Sequence, residues 1–197
     1  MARNSRSRTK AAFAAFVMLA GGASTSAHRL DEYLQAARVT IEPNRVVIDL
    51  DLTPGVAVAG VVLADIDRDR DGSISSGEAQ AYVARVLSDL TLAIDGGPLA
   101  LSARASTFPA MQALRTGVGT IQLRLAAELP TLQPGTHRLA LRNAHLPRVS
   151  AYLANVLVPA SERVDVTNQR RDYNQRALDI DYVLREKPRT WWDFIFQ

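Results

Sequence analysis

The chain has 197 residues, with 23 Lys and Arg against 20 Asp and Glu and no cysteine. So near a balance of charge gives no electrostatic footprint for a nucleic-acid surface. The lack of cysteine excludes disulfide staples and thiolate sites for zinc or iron–sulfur chemistry.

Residues 1–27 read as a secretory signal peptide. MARNSRSRTK places Arg3, Arg6, Arg8 and Lys10 ahead of the apolar run AAFAAFVMLAGGA, and Thr25-Ser26-Ala27 supplies the small residues of a cleavage site. The apolar run is too short to span a bilayer. No paired arginines precede it and no cysteine follows it, so the general export route without a lipid anchor is expected. Cleavage after Ala27 would leave 19 basic against 20 acidic residues, and the sequence pI of 9.6 then mostly reports the leader. The expected location is the periplasm or the exterior. About 170 mature residues suffice for a sizeable core without disulfides. His28 would become the first residue. Its α-amine and imidazole together suit copper or nickel, with His137 or His145 as a further ligand, and it is a tentative second metal position.

Strand signals come next. Residues 36–42 (AARVTIE) and 45–53 (RVVIDLDLT) flank Pro43-Asn44 and predict a hairpin. In the second segment Val46, Ile48, Leu50 and Leu52 alternate with Val47, Asp49 and Asp51. Asp49 and Asp51 therefore belong to a solvated strand face rather than to a metal pair. Thr53-Pro54-Gly55 ends the strand, and VAVAGVVLADI (56–66) predicts a short helix.

Residues 67–78, DRDRDGSISSGE, match the calcium-loop pattern D-x-[DN]-x-[DN]-G-x5-E at every specified position. Asp67, Asp69 and Asp71 occupy positions 1, 3 and 5, and Gly72 the sharp turn at position 6. Ser73 would offer its carbonyl, Ser75 its hydroxyl or a water, and Glu78 both carboxylate oxygens at position 12. A hard cation wants six to eight oxygens at roughly 2.3–2.6 Å, and a short loop reaches that only if alternate residues point inward. Arg68 and Arg70 between the acids oppose the ion electrostatically, and Gly77 loosens the start of the exit helix. The expected affinity is therefore weak, with a Kd on the order of 10⁻⁴–10⁻³ M. The exit helix EAQAYVARVLSDL (78–90) carries an apolar stripe of Tyr82, Val83, Val86 and Leu87. No second loop is present for pairing, so Ile74 at position 8 is expected to pack on the sheet, and a structural role is favoured over a switching one.

Further strands are expected at 90–95, 98–105, 119–127, 136–143, 151–158, 163–168 and 176–184, with Asp95-Gly96-Gly97 as a hairpin turn. The polar run 168–176 reads as a solvated strand connection. The tail KPRTWWDFIFQ (187–197) concentrates Trp191, Trp192, Phe194, Ile195 and Phe196. It suits a groove of its own domain, a partner protein or a membrane surface, and is too short to span one. The predicted fold is one mainly β domain over 28–186, an antiparallel β-sandwich with a helix–loop–helix (EF-hand) insertion at about 55–89. No G-x-S-x-G, H-E-x-x-H or phosphate loop occurs, so a non-enzymatic role is expected. A hydrolase with structural calcium is the other option.

Ala27-His28, EPNRVVIDLDLTPG, DRDRDGSISSGEAQAYVARVL and LTLAIDGGPLAL together resemble the extracytoplasmic N-terminal domain of bacterial nickel/cobalt transporter-like membrane proteins. The likeness spans about 27–105. It implies an exported sensory or accessory domain beside a membrane metal-transport protein, and by motif position it supports Asp67, Asp69, Asp71 and Glu78 as ion ligands. The sequence has no transmembrane segments, so transport itself is not implied. Two roles follow as expectations: a calcium-binding structural or interaction module, or an accessory protein for nickel, cobalt or copper.

Overall fold

The computed structural model describes residues 31–186. The alternating segments on either side of Pro43-Asn44 form β1 (Tyr33–Ile41) and β2 (Arg45–Pro54), paired antiparallel, with the Glu42 N–H donating to the Arg45 carbonyl at 2.9 Å. Val46, Ile48, Leu50 and Leu52 are buried. On the opposite face Asp51 meets Arg38 at 2.7 Å and Asp49 meets Arg124 at 3.5 Å, so the two aspartates serve cross-strand ion pairs.

Between β2 and β3 (Leu90–Ile94) lie α1 (Ala59–Ile66) and α2 (Ser76–Ser88), separated by residues 67–75. The remaining elements are β4 (Gly97–Leu99), β5 (Ser102–Thr107), α3 (Met111–Arg115), β6 (Ile121–Glu128), β7 (Gly135–Asn143), β8 (Ser150–Val156), β9 (Val164–Arg171) and β10 (Ala177–Leu184). The strands form two five-stranded sheets, β5-β6-β2-β1-β8 and β4-β3-β7-β10-β9. Ile48, Leu50, Leu123 and Leu125 of the first share one buried cluster with Leu92, Leu139, Leu141, Leu178 and Ile180 of the second. The chain is thus mainly β, with two antiparallel-rich sheets around a common core. Met111 and Leu114 of α3, and Val62, Leu63 and Ile66 of α1, join that core.

Four features depart from the sequence reading. First, β1 and β8 are parallel, Tyr33 facing Ser150. Alternation reports which face a residue takes but not which way its strand runs. Second, the segment expected as one strand at 98–105 is divided between sheets. β4 turns back on β3 across Asp95-Gly96, both at positive φ (49° and 85°), as a two-residue hairpin of that hand requires. The chain then crosses at Ala100-Leu101, and β5 pairs with β6 in the other sheet. Third, α3 has only five residues, too few to show a helical stripe in the sequence.

The run 168–176 is also more than a connection. β9 extends to Arg171, whose Nε donates to the Ala154 carbonyl at 2.6 Å and whose Nη2 donates to Asn155 Oδ1 at 2.5 Å. The Val156 N–H donates to Gln169 Oε1 at 3.4 Å. Side chains of β9 thus occupy backbone groups on the edge of β8 and block strand addition there.

Gly119 is required by close approach. A Cβ there would sit 2.8 Å from the Leu114 nitrogen and 2.9 Å from the Ala113 carbonyl carbon, both backbone atoms of α3. Gly60, in α1, has open space around it. Gly119→Ala is expected to lower stability by about 1–3 kcal/mol, whereas Gly60→Ala raises it by about 0.5 kcal/mol. Urea denaturation of the two variants checks the opposite signs.

Candidate metal centre

Helix α1 ends where Asp67 leaves helical geometry (φ −82°, ψ 85°), its N–H still bonded to the Leu63 carbonyl at 2.8 Å. Ile66, fully buried beside it, anchors this exit in the core. The loop then folds on its own carboxylates. Asp67 Oδ2 accepts from the Gly72 N–H at 3.2 Å, Asp69 Oδ1 from the Asp71 N–H at 3.1 Å, and Asp71 Oδ1 from the Ser73 N–H at 2.7 Å. Gly72 at φ 85° and Arg70 at φ 63° supply the left-handed turns. Only the glycine adopts that conformation without strain.

This folding gathers one carboxylate oxygen from each of Asp67, Asp69 and Asp71 within 4.8 Å of one another. Like charges at that separation repel by about 1 kcal/mol in water and several times more near a protein surface. Asp69 and Asp71 are exposed, but Asp67 is only 7% exposed, and its Oδ1 is buried without a hydrogen-bond partner. A buried carboxylate oxygen left unpaired is costly. A cation held by the three side chains would satisfy it, so the cluster has the donor set for a metal ion.

Glu78 takes a different position from the aspartates. It lies at the first turn of α2, where Ser75 caps the helix. The Ser75 hydroxyl accepts from the Glu78 N–H at 3.3 Å, and Glu78 Oε2 accepts from the Ser75 N–H at 3.0 Å, a capping box. The Ser75 hydroxyl also donates to Oε2 at 2.8 Å, while Oε1 accepts from the Arg68 N–H at 2.8 Å, which ties the two ends of the loop together. These contacts, led by those with Ser75, hold the Glu78 carboxyl below its ordinary pKa. The geometry therefore brings Asp67, Asp69 and Asp71 together and keeps Glu78 and Ser75 on each other. Ile74 is half-buried against the core cluster.

His137 and His145 do not converge on this loop. His28 and the aromatic tail with Trp191, Trp192, Phe194 and Phe196 lie outside the described residues. Neither of the other two has a free ring nitrogen for a metal. His137 Nδ1 meets Asp95 Oδ2 at 2.7 Å and its Nε2 the Gln133 carbonyl at 2.8 Å. His145 Nδ1 meets Asp89 Oδ2 at 2.8 Å and its Nε2 the Tyr82 hydroxyl at 3.0 Å.

The sequence reading also missed a buried polar cluster behind α2. Tyr82, read as a stripe residue, and Tyr33, which lies ahead of the predicted first strand, share a hydroxyl contact of 2.5 Å. Gln35 donates to the His145 carbonyl at 2.8 Å and accepts from Asn143 Nδ2 at 2.9 Å, and the Tyr152 hydroxyl donates to the same carbonyl at 2.7 Å. The only sequence signal was polar types at positions that alternation assigns to the interior: Gln35 between Tyr33 and Ala37, and Asn143 after Leu139 and Leu141.

Searches of protein-family models, curated proteins and solved structures found no match to the chain.

Burial disfavours a charged His137, but the hydrogen bonds to Asp95 and to the Gln133 carbonyl outweigh it and raise the pKa above the ordinary value near 6.5. Its contribution to stability is therefore complete below about pH 6.5 and fades as pH rises through the raised folded value. In thermal melts, the deficit of His137→Asn relative to wild type is expected to be larger at pH 5.5 than at pH 8.5.

Proposed function

We propose that this protein is an exported calcium-binding module with a single EF-hand-type loop, in which the ion plays a structural or interaction-supporting role. The observation that carries the reading is Asp67 Oδ1, buried and unpartnered within a carboxylate triad that falls at positions 1, 3 and 5 of the calcium-loop pattern. An all-oxygen donor set suits a hard cation better than copper or nickel. Asp67, Asp69 and Asp71 would hold the ion, with the Ser73 carbonyl, Ser75 and Glu78 completing the set by motif position. The ion's contribution is charge neutralisation and the fastening of α1 to α2 across the loop. The sequence resemblance adds a membrane metal-transport protein as the proposed partner, and the leader adds a periplasmic or secreted location.

At 5 mM calcium and a Kd near 10⁻⁴ M, linkage gives about 2 kcal/mol of stabilisation, equivalent to a Tm rise of about 5–9 °C for a domain of this size. Melting in calcium and in chelator reads this directly, and equal midpoints remove the proposal. Asp67→Asn sharpens the test. Its amide oxygen can still accept from the Gly72 N–H, while the unpaired buried charge is gone. The metal-free variant is therefore expected to melt at or above the wild-type temperature and to show no response to calcium.

A further inference from the structure

The buried chain that joins α2 to the two sheets has a fixed hydrogen-bond direction. Tyr33 (β1), Tyr82 (α2) and His145 (loop 144–149) are all at most 1% exposed. His145 Nδ1 faces the Asp89 carboxylate, which only accepts, so Nδ1 carries the ring proton. Nε2 of the neutral ring is then the acceptor, Tyr82 donates to it, and Tyr33 donates to Tyr82. The His145 main chain is held just as firmly. Its N–H donates to Asn143 Oδ1 at 2.9 Å, and its carbonyl accepts from Gln35 and Tyr152. Leu146, next in the chain, sits at φ 45°, a conformation that a γ-branched side chain adopts only when its surroundings impose it.

A second proton on the ring reverses the chain. Nε2 becomes a donor, Tyr82 must turn its hydrogen toward Tyr33, and the Tyr33 hydroxyl loses the acceptor to which it was donating. One buried O–H is left over, and burial makes that costly. The charged and titratable groups facing the ring are Asp89, the C-cap of α2, and Arg85 of α2 together with Tyr33 and Tyr82. Arg85 is itself paired with Asp65 of α1. Among the described residues, these same contacts and the Ala144 N–H on the Asp89 carbonyl at 2.9 Å tie the C-terminal half of α2 to the rest of the fold.

We infer that Tyr33, Tyr82, His145 and Asp89 form an acid-sensitive latch that holds α2 against the sandwich while His145 is neutral and releases it when His145 is protonated. The inference stands on this geometry and is independent of the cation reading, since the hydrogen bonds that join these four residues run to one another and not to the acidic loop. Burial also keeps the His145 pKa low, with Arg85 adding to the effect and Asp89 partly offsetting it. The contribution of a group with a lowered folded pKa is present above about pH 6.5 and is lost as pH falls through the folded value, the opposite sign to His137.

Amide exchange and imidazole chemical shifts, measured by NMR on the full chain in chelator between pH 7.5 and 5.0, test this. After correction for intrinsic exchange, protection of the α2 amides is expected to fall by at least about tenfold relative to β2 and β6, with the midpoint of His145 protonation. His137→Asn should keep that acid response, and His145→Gln should lose it. Protonation of His145 with unchanged α2 protection overturns the inference, as does a His145→Gln variant that opens in acid as wild type does. Should His145→Gln not fold, the coincidence of the two wild-type midpoints decides the matter. A null calcium melt in the same protein would bear on the cation reading alone.

Discussion

Helix α2 is fastened at both ends by interactions of different kinds, and the arrangement of the molecule turns on that double attachment. At its first turn Ser75 and Glu78 satisfy free backbone donors reciprocally, and Glu78 also reaches the Arg68 N–H on the far side of the acidic loop. In its second half Tyr82, Val83 and Val86 enter the common core, and the Tyr82 hydroxyl carries hydrogen bonds into the interior. A helix of thirteen residues is marginal on its own. Its place is set by burial of this stripe, and the acidic loop inherits its geometry from where α1 and α2 are pinned.

The loop and the interior cluster treat buried polarity in opposite ways. Behind α2 the carbonyl of His145 is shared by Gln35 and Tyr152, and both of its ring nitrogens are bonded. Such satisfaction makes a buried network rigid and specific. In the loop, Asp67 retains a buried oxygen with nothing to accept from. Unsatisfied groups of this kind are few in folded proteins and call for a physical explanation, and a cation held there, as proposed, would provide one.

The outer faces of both sheets are ion-paired. Arg38 with Asp51, Arg142 with Asp179, and Arg138 and Arg170 with Asp181 place opposite charges on adjacent strands. The two guanidiniums hold the Asp181 carboxyl far below its ordinary pKa. Exposed pairs contribute little stability individually. Their effect is to keep the faces polar and register-specific, while Arg171 and Gln169 seal the edge of β8.

The sequence by itself determined the alternation of β2, β7 and β10, the Asp95-Gly96 turn, the apolar stripe of α2 and the acidic spacing of residues 67–71, because each is a local pattern with a fixed period. It did not determine that β1 and β8 run parallel, or that β4 and β5 belong to different sheets, since neighbours in a sheet are chosen by packing across long separations. The same holds at the site. Spacing brought out Asp67, Asp69 and Asp71 as a cluster, but only the tertiary structure decided that Asp67 would be buried and short of a partner, and that Glu78 would turn to Ser75 and Arg68. It also decided that His145, more than fifty residues beyond α2, would close a hydrogen-bond chain with Tyr82 and Asp89. Burial and pairing depend on what the rest of the chain brings alongside, and no local pattern carries that information.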